Sequence, residues 1–210
     1  MMIRLKNLGI LAMIGLLSAC GSTSGLRQVS EQNKEIDFTQ YQHVVVGSFT
    51  SEAAIERKFG SKAPKSERKK AKLAEKKRIY RENVRLAAIQ FARNIVTELR
   101  KVGQFETVVK SESAGAGSLR VSGKVTRYSR GNAAGRVLIG LGAGSAYFDA
   151  MVEIRDGDTN ELLSVVKVDK NSWPLGGWLA GIQNTDRFIY GAAKKIAKEM
   201  SKAADSEASN

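Results

Sequence analysis

The chain is short of the residues that carry most enzyme chemistry. Among its 210 residues there is one cysteine, Cys20, and one histidine, His43. A lone cysteine excludes a disulfide within the chain and a cysteine-ligated metal centre. A lone histidine leaves a Ser-His-Asp triad a single possible base, and no nucleophile-elbow sequence accompanies it. His43 opens a β-branched run and reads as an ordinary strand residue. Proline occurs only at Pro64 and Pro174, and tryptophan only at Trp173 and Trp178. No convergent acid–base set is visible, so no catalytic residue, cofactor or metal is expected.

What the chain does have begins at its start. Arg4 and Lys6 precede an uninterrupted apolar run from Leu8 to Leu17, and Leu17-Ser18-Ala19-Cys20 closes it. The run is too short to span a bilayer and has the length of a signal-peptide core. The last four residues match the lipobox of bacterial lipoproteins. That resemblance implies that Cys20 becomes the first mature residue and carries diacylglycerol plus an amide-linked acyl chain. Each buried methylene contributes ~0.8 kcal/mol, and two or more chains hold stably. Membrane lipid, reached through acylated Cys20, is thus one expected partner. Gly21 stands where aspartate would argue for inner-membrane retention. By the same resemblance, the expected location is the outer membrane, facing the periplasm.

The remaining chain divides simply. Residues 1–19 read as the signal peptide, 20–40 as a lipidated flexible tether, 41–204 as one domain and 205–210 as a disordered tail. A strand is expected from His43 to Phe49 and a long helix from Ser66 to Lys101, with Gly103 as its C-cap. Val84, Ala88, Phe91, Ile95 and Leu99 give that helix one apolar face. Strands are expected at Phe105–Lys110, Leu119–Tyr128, Ser145–Arg155 and Leu162–Asp169. A last helix, from Thr185 to Ala203, carries Phe188, Ala192, Ile196 and Met200 four apart. The expectation is an α+β domain: a mostly antiparallel sheet of about five strands with two helices on one face. The first helix is long and basic in its N-terminal half.

The net charge of +13 is concentrated. Residues 57–81 hold twelve Lys or Arg against two Glu. The long helix would measure roughly 54 Å at 1.5 Å per residue, whereas a domain of this size is about 40 Å across. Its basic half therefore projects beyond the core. Arg68, Lys69, Lys70, Lys72, Lys76, Lys77 and Arg78 are the candidates for contact with an anionic surface, against the plainer reading of a solvated face. Nucleic acid is not an expected partner of an exported protein.

Three motifs are weaker. Gly140-Leu141-Gly142-Ala143-Gly144-Ser145 lacks the third glycine of a dinucleotide loop and the Lys-Ser or Lys-Thr of a Walker A loop. Asp156, Asp158 and Asn160 imitate the first ligands of a calcium loop, but Asp156-Gly157 is a turn signal and Lys167 stands at the twelfth position. Trp173 and Trp178 lie in one glycine-containing loop, which would be either an interaction patch or a cap on the core.

The run from Leu119 through Tyr128, Gly131-Asn132, Arg136, the Gly140–Gly144 stretch and Asp156 to Leu163 resembles the bacterial lipoprotein family of domain of unknown function 4410. The element order is also similar in architecture to the periplasmic domain of the curli secretion lipoprotein and to the N-terminal domain of the Tol translocation protein. That family is uncharacterised, so the first resemblance carries over no catalytic residues. The expected function is a non-enzymatic binding or adaptor module of the cell envelope, with an envelope protein or peptidoglycan as partner. The alternatives are an oligomeric subunit of a secretion or envelope assembly and, last, a hydrolase.

Overall fold

The computed structural model describes residues 27–28, 37–60, 64, 66–131, 145–171 and 184–205. In chain order these form β1 (Arg27–Gln28), β2 (His43–Thr50), α1 (Glu52–Phe59), α2 (Glu67–Val102), β3 (Thr107–Lys110), β4 (Ser118–Ser129), β5 (Tyr147–Asp156), β6 (Leu162–Asn171) and α3 (Thr185–Asp205). The class is α+β, as expected. Cys20, Trp173, Trp178 and the Gly140–Gly144 stretch lie outside the described residues.

The strands form one sheet in the order β1-β6-β5-β4-β2-β3. The expectation of a mostly antiparallel sheet is corrected to a mixed one. β4, β5, β6 and β1 pair antiparallel, but β2 is parallel to both β3 and β4. The helical crossover from β2 returns the chain to the same end of the sheet, so β3 must run alongside β2 in the same direction. Residues 111–117 then carry the chain from one side of β2 to the other. Side-chain alternation reports which face a residue takes and not which way its strand runs, so sequence pattern alone left the direction open.

Two elements were not expected. α1 packs against β4 and contributes buried Ala54 to the core. Its signal was short but present: Ala53-Ala54-Ile55 ahead of a terminal Gly60. Within the stretch read as a tether, Arg27–Gln28 pairs with Val165 and Ser164 of β6, and Phe38 is fully buried.

The core lies on one face of the sheet. Val44 and Val46 of β2, Leu119, Val121 and Val125 of β4, Phe148, Val152 and Ile154 of β5, and Val166 and Val168 of β6 point into it. The expected helix stripes match. Val84, Ala88, Phe91, Ile95 and Leu99 are all buried on α2, and Phe188, Ala192, Ile196 and Met200 on α3. The two helices also pack against each other. Gly103 ends α2 in the left-handed region, with φ 72°, where a side chain would be strained.

Phe91 is the centre of this packing. Its ring meets Phe49 at 4.9 Å and Phe148 at 5.0 Å between centroids, both edge to face. It therefore joins α2 to β2 and β5 at once. Phe91→Ala is expected to cost about 3–5 kcal/mol, through lost burial and a cavity that two rings cannot refill. Urea denaturation measures it. A loss under ~1 kcal/mol would show that the helix is held elsewhere.

Candidate functional site

The basic half of α2 is helical from Glu67, as the sequence implies. At 100° per residue, Arg68, Lys69, Lys70, Lys72, Lys76, Lys77 and Arg78 wrap the whole circumference instead of forming one stripe. Two of them are internally paired: Lys70 with Glu67 at 2.7 Å and Arg78 with Glu75 at 2.8 Å. Lys77 is half-buried, its Nζ 5.8 Å from the centre of the Phe59 ring. Arg68, Lys69, Lys72 and Lys76 are exposed and make no ion pair among the described residues. Such pairs on an exposed helix are screened by water and contribute little to the fold.

A second positive feature, not foreseen, sits where this arm joins the domain. β4 runs past the end of β2, and α1 fills the space beside the overhang. The result is a cleft of about 230 Å³. α1 contributes Ala54, Arg57 and Lys58 to it, α2 contributes Tyr80, β4 contributes Arg127, Tyr128 and Ser129, and β5 contributes Tyr147. Sequence reading missed it because its members come from four elements. The one local signal is Arg127-Tyr128, a cation next to an aromatic at the end of a strand.

A bulge builds the cleft. The β4–β5 register shifts between Val125 and Arg127. Strict alternation after Val125 would turn Arg127 into the core. The shift turns Tyr128 inward instead and leaves Arg127 on the other face. The Tyr80 hydroxyl donates to the Tyr128 carbonyl at 2.9 Å, and the two rings meet edge to face. The Thr185 hydroxyl donates to the Ser129 carbonyl at 2.8 Å, which ties the start of α3 to the same strand end. The guanidinium of Arg127 lies 3.6 Å from the Tyr147 ring centre, a stacked cation–π contact. Lys58 Nζ stands 5.9 Å from the Tyr80 ring centre.

Asp149 lies behind this cluster. Its Oδ2 is 3.9 Å from both Arg57 and Arg127, and its buried Oδ1 has no hydrogen-bond partner among the described residues. Burial pushes the carboxyl up to about 6, and Asp169, directly opposite on β6, adds to the shift. Arg127, Arg57 and the backbone of Lys170 pull the other way and do not overcome it. Burial also raises Tyr80 and Tyr128 above the usual tyrosine value, so both keep their hydroxyl protons.

The remaining candidates resolve as structural parts. His43 opens β2, half-buried, opposite Thr107 and Ser118. Asp156 holds the hairpin turn between β5 and β6: its Oδ1 accepts the amides of Asp158 at 2.8 Å and Thr159 at 2.7 Å. Its Oδ2 accepts the Tyr41 hydroxyl at 2.7 Å. These bonds, the Thr159 amide first, hold it below the usual carboxylate range, while burial and Asp156 itself raise Tyr41. Among the described residues no cluster of His, Cys, Asp or Glu could hold a metal ion, and no helix is long and apolar enough to cross a membrane.

A family model described as a domain of unknown function, DUF4410, matches residues 44–176. The chain belongs to the DUF4410 family. The DUF4410 span takes in every residue that lines the cleft, together with the basic half of α2. It stops short of α3, although α3 completes the core. Two solved structures are similar to the chain: the PelC dodecamer from Paraburkholderia phytofirmans and a form of it with one leucine replaced by methionine. The substituted form is 13% identical with a TM-score of 0.44, and the match covers 84% of this chain and 98% of that one. The unsubstituted form is 11% identical with a TM-score of 0.41, and the match covers 84% of this chain and 97% of that one. No curated protein matches the chain.

Asp149 gives the site a measurable signature. Its carboxyl rises from 3.8 in the unfolded chain to about 6 in the fold, so the fold disfavours its charge. No penalty exists below pH 4; it grows as pH rises and is complete above pH 6. Asp149→Asn is therefore expected to stabilise the protein at pH 7.5, by about 1 kcal/mol after solvent screening, and to have little effect at pH 4. Thermal melts of both proteins from pH 4 to 8 provide the check. A destabilised variant at pH 7.5, or an offset that ignores pH, would contradict it.

Proposed function

We propose that the chain is a lipid-anchored protein of the outer membrane that acts by contact, without catalysis, as one copy of an oligomeric envelope assembly. The observation that carries this reading is the division of its surface into a packed sheet domain with an open edge and a projecting basic helical half. β3 pairs only with β2; its other edge meets no strand among the described residues. Val109 of β3 is 37% exposed, and although the Arg100 guanidinium occupies the Val108 carbonyl on the outer edge, no strand covers that edge among the described residues. The PelC chains similar in outline are described as dodecamers, which makes particle mass the first quantity to measure.

The basic half supports the second contact. A helix polar all round contributes little to the fold, and Arg68, Lys69, Lys72 and Lys76 leave four cations uncommitted among the described residues. Near an anionic surface each adds ~1 kcal/mol, fading within a Debye length. With acylated Cys20 as the anchor, that attraction would orient the domain and not retain it. Phospholipid head groups, peptidoglycan carboxylates and an acidic envelope protein all present such a surface.

Two measurements test the parts separately. Light scattering of the acylated protein in detergent is expected to give a particle of several copies; a monomer at all concentrations would overturn the oligomeric reading. Replacing Arg68, Lys69, Lys72 and Lys76 together by Gln is expected to lower sedimentation of the unacylated chain with phosphatidylglycerol vesicles or peptidoglycan at least ~tenfold. Unchanged sedimentation would sink the surface contact and leave the first result standing.

A further inference from the structure

The geometry points to the cleft between α1 and the end of β4 as a binding site for one anionic sugar unit, a ring bearing a carboxylate or phosphate. Three cations converge there: Arg57, Lys58 and Arg127. None of them makes a hydrogen bond with another described residue, so their donors are available. Among the described residues the only carboxylate paired with the two guanidiniums is Asp149, at 3.9 Å, beyond hydrogen-bonding reach. Even with Asp169 counted beside Asp149, two carboxylates against three cations leave the cleft net positive. An incoming oxyanion could accept the guanidinium hydrogen bonds that Asp149 does not take.

The walls decide the rest of the ligand. Tyr80, Tyr128 and Tyr147 line the same cleft and give it aromatic walls. Stacking on Tyr147 fixes the plane of Arg127, which lowers the entropy lost on binding. A bare inorganic ion would use the cations and leave the rings unused. The volume, about 230 Å³, equals that of about eight waters and falls below the roughly 300–1,000 Å³ of drug-sized sites. One small ring with its charged substituent fits; an extended aromatic ligand does not. The wider groove on the other side of α1, about 360 Å³, is lined by Glu52, Ile55, Glu56, Gly60 and Arg81. Its two carboxylates and lack of aromatic rings make it a poor anion site by comparison.

This inference is independent of the oligomeric reading, since every residue of the cleft belongs to one chain. Calorimetric titration of the full acylated protein in detergent tests it. The probes are N-acetylmuramic acid, glucose 6-phosphate, inorganic phosphate and neutral N-acetylglucosamine. One of the two anionic sugars is expected to bind with a stoichiometry of one per chain, at least about tenfold tighter than phosphate or the neutral sugar. Which of the two wins identifies the substituent. Arg57→Gln, on an exposed helix position, and Arg127→Ala are each expected to weaken that binding about tenfold. Lys72→Gln, out on the arm, is expected to leave it unchanged. Failure of both sugars to bind would overturn the inference, as would phosphate binding equally well. Equal loss from Lys72→Gln would also overturn it, by assigning the effect to diffuse charge.

Discussion

The position of α2 on the sheet depends on one aromatic contact. Phe91 packs between Phe49 and Phe148, which belong to different strands. Once that ring is seated, the axial position of a rigid helix is set along its entire length. Its C-terminal part then lays Ile95 and Leu99 over the core, and Gly103 can end it beside β3. Its N-terminal part must overshoot. A helix of 36 residues spans ~54 Å, and the sheet has no apolar surface left beyond Tyr80. The projecting basic arm is thus a geometric consequence of where Phe91 sits. Tyr80 is the outermost residue of α2 packed against the core, and its bond to Tyr128 ties the base of the arm to the cleft.

Two bulges make the rest possible. Register shifts fall between Val46 and Phe49 on β2, and between Val125 and Arg127 on β4. In each case the inward series of alternate residues would otherwise place the wrong side chain in the core. On β2 the shift puts Phe49 inward in place of Ser48, which supplies one half of the Phe91 clasp. On β4 it puts Tyr128 inward and releases Arg127 to the face of Asp149 and Tyr147. Gly123, between these points, admits no side chain: a Cβ would overlap the Met151 carbonyl and lie 3.1 Å from the Phe49 ring. Close packing of backbone and ring at that point is what holds the irregular region together.

The parts of this structure that were legible in the sequence are those encoded by period. Both helix stripes, the hairpin at Asp156-Gly157 and the end of α2 at Gly103 follow from spacing and turn chemistry. Strand direction did not, because a period of two is the same read either way; hence the mixed sheet in place of a mostly antiparallel one. α1 escaped because eight residues give barely two turns of pattern, and half of them are charged. The cleft escaped for a different reason. Residues 57, 80, 127 and 147 become neighbours only after a bulge, an overhanging strand and an overshooting helix have all been built. No local window contains that information. The sequence did mark the charge of residues 57–81, but as one run, and the fold divides it between two settings.

That division governs how the charge can act. On the arm, Lys69, Lys72 and Lys76 are exposed to water and, at i, i+3 and i+7, share one face of the helix. Their field reaches about 8 Å at physiological salt, so they respond to any dense anionic surface and discriminate poorly among them. In the cleft, Arg127 is held by a ring, Arg57 by a short helix packed on β4, and both face a carboxylate too distant to satisfy them. Donors fixed in place and left partly unsatisfied reward only a group of matching shape. Salt should therefore separate the two: raising ionic strength weakens the arm's contacts first, while a desolvated guanidinium–oxyanion pair persists. A single basic segment is thus split by the end of the sheet core into a long-range, unselective surface and a short-range, selective one. Under the acylation proposed for Cys20, the first would set the orientation in which the second meets an anionic group.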